Sequence, residues 1–157
     1  MDPGTGQGGR GVRLADPQAT EAFGASLAAL VRPGDVITLQ GTLGAGKTSI
    51  ARGLLAALGL AGEAPSPSFA IVQPYAPPEV RLPVLHVDLY RIDDPYEIEE
   101  LGLDEAERDS LLLVEWPERA GPGYWPHALA LTLTIAPDGG RGLTAVVPAA
   151  WEPRWPT

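Results

Sequence analysis

The chain has 157 residues, 45% of them hydrophobic and 20% charged, which predicts one globular domain, and the absence of cysteine excludes disulfides, thiolate metal sites and thiol nucleophiles. Its formal net charge of −9, with scattered basic residues, argues against tight direct binding to nucleic acid. No apolar run approaches the roughly 18 residues that span a bilayer, and the N-terminus lacks a signal-peptide pattern, so we expect a cytoplasmic protein without a membrane segment.

Strand and helix patterns alternate in the N-terminal half of the sequence. Residues 1–11 contain five glycines and little that can be buried, so we expect a disordered tail. Residues 12–15 predict a short strand, and Asp16 followed by Pro17 is typical of a helix N-cap and first helical position, with the helix running to about residue 31. Residues 36–39 predict a buried strand. From Lys47, apolar residues recur at helical spacing until Gly59, which is typical of a helix C-terminus.

The C-terminal half is richer in strand patterns. Residues 69–72 and 82–88 predict two strands joined by a proline-rich turn, and short acidic helices follow. Residues 111–115 are the most apolar run and predict a central strand. Residues 128–135 and 143–147 predict a hairpin. The elements together predict an α/β sandwich with a mixed parallel and antiparallel sheet in a single domain, residues 12–150, followed by a C-terminal tail, residues 151–157.

A glycine-rich motif connects the strand at residues 36–39 to the next helix. Residues 41–48, GTLGAGKT, match the P-loop pattern G-x-x-x-x-G-K-[ST], which predicts the three-layer sandwich of P-loop NTPases. Glycines let backbone N–H groups point at phosphate oxygens, and the helix N-terminus attracts the same anion. We therefore expect Lys47 to reach the β- and γ-phosphates and Thr48 to bind Mg²⁺. Lys47 is the only lysine among eleven basic residues, which suits a position that needs a compact charge.

Two predicted strands end in carboxylates, Asp88 and Glu115. Ligands of open α/β sheets bind at the carboxyl ends of strands, so Glu115 is predicted to hold the metal or its water, with Asp88 as a second candidate. Each could instead be an ordinary acid at a strand end. Ser68, in a Ser-Pro-Ser segment after the P-loop helix, is the candidate sensor of the γ-phosphate or part of a plain turn. His86 is more typical of a packed strand residue than of a catalytic base.

Three further features leave two interpretations open. Arg91 could contact phosphate or pair with the acidic residues beside it, and Trp116 could be a core aromatic or a lid against the nucleotide. Nine of the twenty acidic residues fall within residues 93–109, which form either a solvated helical face or a docking surface for a basic partner. No arginine is clearly placed by the sequence to reach the γ-phosphate, which predicts that a partner supplies one.

Four motifs, in this order and spacing, carry a family resemblance: GTLGAGKT at 41–48, SPSF at 66–69, HVDLYR at 86–91 and EWPE at 115–118. They resemble the bacterial TsaE family, also called YjeE, over about residues 16–147. The resemblance implies a small ATPase that is needed for threonylcarbamoyladenosine modification of tRNA, and the lack of a clearly placed arginine predicts that it is weak alone. The family resemblance also implies ATP and Mg²⁺ as cofactors and the TsaB–TsaD complex as partner, with threonylcarbamoyl-adenylate supplied by TsaC.

The resemblance also implies roles for individual residues. Thr48 and Glu115 would bind Mg²⁺, with Asp88 close by. Together with the patterns above, this makes Lys47, Glu115, Asp88 and Ser68 the candidate catalytic residues. Phosphate contacts would run along residues 44–49, with residues 16–20 on the adenine side. The candidate nucleotide contacts are Pro17, Thr20, Leu43, Gly44, Ala45, Gly46, Lys47, Thr48, Ser49, Trp116 and Arg141. The chain departs from the family at Thr42, where an acid is frequent, and at Ser68, where threonine is favoured.

Two other function classes compete with the ATPase hypothesis. A small-molecule kinase needs an acceptor pocket and an arginine-bearing lid over the phosphates, and no arginine-rich segment here fits that lid. A nucleotide switch that binds without hydrolysing would share the P-loop. Release of inorganic phosphate without any acceptor would separate an ATPase from both.

Overall fold

The computed structural model describes residues 10–42, 44–62, 72–121 and 123–155. The strands are β1 (Arg10–Leu14), β2 (Val36–Gln40), β3 (Val72–Tyr75), β4 (Val84–Asp88), β5 (Leu111–Glu115), β6 (Leu129–Ile135) and β7 (Arg141–Val146). The helices are α1 (Pro17–Leu27), α2 (Lys47–Ala57), α3 (Tyr96–Glu99) and α4 (Leu103–Glu107), with 3-10 helices at Pro117–Ala120 and Ala149–Arg154. None of the helices in these ranges has the length and apolar character needed to cross a membrane.

The strands form a seven-stranded sheet in the order β1-β7-β6-β2-β5-β4-β3. Strands β6, β2, β5 and β4 are parallel, whereas β1, β7 and β3 pair antiparallel with their neighbours. This confirms the predicted mixed sheet and the predicted hairpin of β6 and β7. All five residues of β5 are buried, as its apolar run predicts for an interior parallel strand. The carboxyl ends of β2, β4 and β5 meet at one edge of the sheet.

Alternating side chains place apolar cores on both faces of the sheet. Leu111 and Leu113 of β5 pack in the core that includes Leu54 of α2. Leu112, between them, packs in the second core with Ile98 of α3. The period of two residues along a strand produces this division. The domain is therefore the three-layer sandwich that the sequence predicts.

Two glycines bring α1 and α2 into close contact, which fixes the helix that follows the P-loop. A methyl group on Gly24 would lie 2.1 Å from the backbone oxygen of Ile50, and one on Gly53 would lie 2.1 Å from that of Glu21. Neither distance is compatible with a side chain, so only glycine permits this spacing. The N-terminus of α2 is consequently held against α1.

The first helix begins as predicted and ends early. The Asp16 carboxylate accepts a hydrogen bond from the Ala19 backbone N–H at 2.8 Å, and Pro17 is the first helical residue. The helix ends at Leu27 rather than near residue 31. After Leu27 the chain continues with i to i−3 hydrogen bonds, such as the one from the Leu30 N–H to the Leu27 oxygen at 2.9 Å. The spacing of apolar residues does not distinguish such a turn from a regular α-helix.

The domain extends beyond its predicted bounds at both ends. Strand β1 begins at Arg10, so residues 10–11 pair with β7 and are not part of a tail; residues 1–9 lie outside the described ranges. At the other end, Trp151 and Trp155 are buried, with 1% and 8% of their surface exposed. Arg154 donates to Asp35 at 2.8 Å and 3.1 Å. The predicted tail is therefore wrong for residues 151–155, because two tryptophans bury apolar area in the main core.

Candidate nucleotide site

The loop between β2 and α2 leaves the start of a helix open to an anion. Gly44 and Gly46 have φ of +81° and +110°, a conformation that favours glycine. Gly46 is the N-cap of α2 and makes no side-chain capping bond, whereas the N-cap of α1 is filled by the Asp16 carboxylate. The first N–H groups of α2 therefore lack a side-chain acceptor, which is the arrangement that binds phosphate.

Lys47 lies at the centre of this loop with only 5% of its surface exposed. Its Nζ donates to the backbone oxygens of Gly41 at 2.5 Å and Thr42 at 3.0 Å. The same nitrogen lies 4.3 Å from the centroid of the Trp116 ring. These contacts hold the ammonium inside the loop, beside the N-terminus of α2.

The electrostatic environment of Lys47 favours a bound anion. Burial lowers the pKa of Lys47, and the nearby carboxylates Glu115, Glu118 and Asp88 only partly oppose that effect. The charged form of the lysine is therefore incompletely compensated in the unliganded chain. A phosphate group in the loop would supply the missing negative charge.

The predicted metal ligands meet at the carboxyl edge of the sheet. The Thr48 hydroxyl donates to both carboxylate oxygens of Glu115, at 3.1 Å and 3.2 Å. Asp88 lies opposite Glu115 in the register of β4 and β5. His86, two residues earlier on β4, places its Nε2 2.7 Å from Oε2 of Glu115. The structure thus brings together side chains from α2, β4 and β5.

Asp88 is buried with a partly compensated charge. Its Oδ1 accepts from the Tyr90 backbone N–H at 2.9 Å. Burial raises the pKa of Asp88, the charge of Glu115 adds to the rise, and the Tyr90 N–H, His86 and Lys47 oppose it. Two carboxylates side by side, with an incompletely compensated charge, suit a site for a cation.

The donor set fits magnesium that arrives with a nucleotide. No three His, Asp or Glu side chains of the described residues form a cluster that could hold a metal by themselves. Mg²⁺ is usually held by one or two carboxylates together with phosphates and waters. Thr48, Glu115 and Asp88 provide that partial set beside the P-loop.

A cavity of about 390 Å³ opens over these residues. This volume lies within the range of small-ligand sites. It is lined by Gly44, Gly46, Lys47, Thr48, Ser49, Asp88, Tyr90, Arg91, Glu115 and Trp116. Arg91 therefore belongs to the cavity wall, and whether it contacts phosphate or pairs with the acids beside it stays open.

Trp116 is a core aromatic, as one of its two interpretations predicts, while its role as a lid against a nucleotide stays a prediction. It packs against the second core, and it also lines the 390 Å³ cavity. Its backbone has φ of +60°, which is rare for a residue with a side chain. Its ring lies 4.8 Å from the Tyr90 ring, centroid to centroid. This conformation turns the indole toward the P-loop lysine.

A second cavity, of about 110 Å³, lies on the other side of the P-loop. Pro17 and Thr20 of α1 line it together with Arg141 of β7, and Gly44, Gly46 and Ser49 form the shared wall. The residues expected on the adenine side are thus adjacent to the residues expected at the phosphates. Ala45, a predicted nucleotide contact, is fully buried and lines neither cavity.

Arg141 makes contacts that its position in the sequence did not reveal. Its Nη2 donates to the Gly44 oxygen at 3.0 Å and its Nε to the Ala45 oxygen at 3.1 Å. Its Nη1 donates to the Gly139 oxygen at 2.7 Å. The guanidinium therefore connects the β6–β7 turn to the P-loop backbone.

Several sequence predictions have a different outcome. Leu43 and Ser68 lie outside the described residues, as does most of the predicted strand at 69–72.

Residues 93–109 bury Ile98 and Leu103 beneath exposed carboxylates, on the face of the sheet opposite α1 and α2. Tyr96 of the same segment is 76% exposed. His86 is a packed strand residue, as predicted, but its contact with Glu115 was not foreseen because strand register is not encoded locally.

Comparisons with known proteins match most of the chain. A family model described as threonylcarbamoyl adenosine biosynthesis protein TsaE matches residues 14–142. The tRNA threonylcarbamoyladenosine biosynthesis protein TsaE of Bacillus subtilis is 38% identical over 133 residues, which cover 84% of this chain and 82% of the relative. The protein of the same name from Synechocystis is 42% identical over 68% of this chain and 69% of the relative. The crystal structure of Bacillus subtilis YdiB superposes with a TM-score of 0.76 at 31% identity, covering 90% of this chain and 87% of that one.

Proposed function

This chain belongs to the TsaE family, and from that premise we propose that it binds ATP with Mg²⁺ and hydrolyses it during threonylcarbamoyladenosine biosynthesis for tRNA. Membership of the TsaE family supports the role in threonylcarbamoyladenosine biosynthesis. The observation that carries ATP hydrolysis is the contact of the Thr48 hydroxyl with both Glu115 oxygens, at 3.1 Å and 3.2 Å, beside an uncapped helix N-terminus. Such a role would require the protein to work in the cytoplasm.

Nucleotide binding would use both cavities beside the P-loop. The triphosphate would lie against the N-terminus of α2, where Lys47 supplies a charge and the backbone supplies N–H donors. The base and ribose would lie toward the cavity lined by Pro17, Thr20 and Arg141. Thr48 and Glu115 would hold Mg²⁺, with Asp88 beside them. When bound, Mg²⁺ neutralises charge on the phosphates as the terminal phosphoryl group is transferred.

Hydrolysis would transfer the γ-phosphoryl group of ATP to water, which forms a bond to phosphorus as the bond to the ADP oxygen breaks. Lys47 would stabilise the charge on the phosphates, and Glu115 would orient groups at the terminal phosphate. Ser68 is proposed as the hydroxyl that senses that phosphate. Trp116 would shield one side of the reacting groups, because its indole already lies against the lysine.

We propose that the TsaB–TsaD complex is the partner. The segment of residues 93–109 follows Asp88 by a few residues, so a protein bound to its exposed carboxylates would sit close to the nucleotide cavity. A partner could then contribute an arginine, which is worth about 10³–10⁵ in rate in other P-loop proteins. Arg91, in the cavity wall, is the alternative source within the chain.

The experiment that tests this function measures inorganic phosphate released from ATP by the purified chain without an acceptor, with and without TsaB–TsaD. The expected result is slow Mg²⁺-dependent release that the complex accelerates, together with ATP-dependent co-purification of the three proteins. Nucleotide binding without any release, alone or with the complex, would indicate a switch. Release that appears only when a small-molecule acceptor is added would indicate a kinase.

A further inference from the structure

His86 is a fully buried polar residue in the middle of the sheet. Its side chain has 0% of its surface exposed, and Glu115, its hydrogen-bond partner, has 3%. The Nε2 of His86 lies 2.7 Å from Oε2 of Glu115. His86 is not among the residues that line the nucleotide cavity. The imidazole can therefore act on a nucleotide only indirectly, and its hydrogen bond goes to Glu115.

Nδ1, the other ring nitrogen of His86, has no hydrogen-bond partner among the described residues. This atom is also buried. A buried polar atom without a partner costs free energy, and an apolar side chain of similar size would avoid that cost. Within the described residues, the hydrogen bonding of the imidazole is therefore confined to Nε2.

We propose, on the basis of the proposed function, that His86 is a positioning residue for Glu115. An ionised carboxylate can only accept hydrogen bonds, so Nε2 carries the proton in this contact. The imidazole then restrains Oε2 of Glu115, while the Thr48 hydroxyl contacts both carboxylate oxygens. The carboxylate is held in the orientation that a metal ion shared with Thr48 requires, as hydrogen bonds to metal-ligating carboxylates do in other sites.

The first test compares two variants by the Mg²⁺ dependence of ADP binding, measured by calorimetry. His86→Leu removes the donor and keeps the volume, so ADP affinity without Mg²⁺ should change less than about twofold, while the Mg²⁺ concentration that tightens binding should rise about 10–100-fold. His86→Gln keeps an N–H donor at the reach of Nε2 and should restore most of the loss. His127→Gln, a change at the exposed second histidine, is the matched control.

The second test observes the hydrogen bond itself and needs no nucleotide. The chain has 2 histidines, so ¹⁵N spectra contain two imidazole spin systems, and His127→Gln assigns them. In the unliganded protein at a fixed pH near 7.5, His86 should carry its proton on Nε2, and that proton should exchange slowly with water. Glu115→Ala removes the acceptor and should remove the slow exchange.

The outcomes separate this inference from the function on which it rests. Three results would each overturn the positioning role alone. The first is a wild-type Mg²⁺ dependence of ADP binding in His86→Leu, and the second is an equal loss of that dependence in His86→Gln and His86→Leu. The third is a His86 proton on Nδ1 rather than on Nε2. A wild-type protein whose ADP affinity ignores Mg²⁺ would overturn the proposed metal site and the positioning role together.

Discussion

Thr48 donates its hydroxyl to both carboxylate oxygens of Glu115, at 3.1 Å and 3.2 Å, across 67 positions of sequence. Thr48 is the second residue of α2, and Glu115 is the last residue of β5. The contact exists because α2 packs on the sheet with its N-terminus above the carboxyl ends of the parallel strands. The P-loop and the two strand-end acids, Asp88 and Glu115, therefore lie at the same edge of the sheet.

Lys47→Ala should weaken ATP binding. The ammonium is buried and would face phosphate, and a hydrogen bond to a charged group contributes about 1.5–3 kcal/mol, which corresponds to about 10- to 150-fold in Kd. Calorimetric titration with ATP and Mg²⁺ measures this. Arg10→Ala, which removes a half-exposed cation paired with Glu152, is the control and should bind normally. Unchanged affinity and turnover in Lys47→Ala would refute the P-loop assignment.

Arg141→Lys should lower ATP affinity about tenfold, although it preserves the charge. A single ammonium cannot donate to the Gly44, Ala45 and Gly139 oxygens at once, so the P-loop loses its connection to the β6–β7 turn. Calorimetry on Arg141→Lys and Arg141→Ala measures the effect. If the lysine variant binds like wild type, the arginine contributes only charge.

Asp88→Asn should stabilise the unliganded protein near pH 7. Burial raises the pKa of Asp88 above its ordinary value of 3.8, so the folded state binds the proton more tightly than the unfolded chain. The ionised carboxylate therefore destabilises the fold as pH rises through the raised pKa. Asparagine avoids that charge and keeps an acceptor for the Tyr90 N–H. The gain in Tm, measured by thermal unfolding, should disappear as pH falls below the ordinary range of an aspartate.

Asp138→Asn is the control with the opposite sign. The Gly140 backbone N–H and the Arg13 side chain lower the pKa of Asp138 below 3.8. Its ionised form therefore favours the folded state, and the stabilisation is lost as pH falls through the lowered pKa. The Asp138→Asn variant should be less stable than wild type near pH 7 and equal to it in strong acid. Tm shifts of the same sign in both variants would contradict the electrostatic account of Asp88.

Charge reversal on the acidic surface of residues 93–109 should weaken partner binding. The double variant Glu99→Arg and Glu100→Arg changes two exposed carboxylates outside the nucleotide cavity, so basal hydrolysis should stay at the wild-type rate. Complex formation with TsaB–TsaD should fall, more strongly at low salt, because surface charges act through screened attraction.

The matched control for this reversal is Glu21→Arg with Glu79→Arg, which makes the same charge change at exposed positions elsewhere. Affinity for TsaB–TsaD, measured by biolayer interferometry, should separate the two double variants. Equal affinities would mean that residues 93–109 form only a solvated face.

The parts of the fold that sequence predicted are those that local chemistry determines. Asp16-Pro17 specifies a helix start through a side-chain cap and a fixed φ, and residues 41–48 specify a glycine loop between a strand and a helix. The strand-end positions of Asp88 and Glu115 followed from apolar runs that stop at a carboxylate. Such signals need no knowledge of distant residues.

The parts that sequence did not predict depend on pairing between distant segments. Arg10 belongs to β1 because β7 lies beside it, and Trp151 is buried because α1 and the sheet leave room for it. The contact of His86 with Glu115 depends on the register of β4 against β5. The hydrogen bond from Arg141 to the Gly44 oxygen depends on where the β6–β7 turn lies relative to the P-loop. No short motif encodes these relationships.

The most direct test of the central claim, that Thr48 and Glu115 form the catalytic magnesium site, compares ATP binding with phosphate release in Glu115→Gln. The amide should bind MgATP within a few-fold of wild type, while release should fall at least about 100-fold, which corresponds to about 2.7 kcal/mol of lost transition-state stabilisation. Glu79→Gln, a change at an exposed acid that lines neither cavity beside the P-loop, should leave both quantities unchanged. A folded Glu115→Gln variant that releases phosphate at the wild-type rate would contradict the account and remove Glu115 from the mechanism.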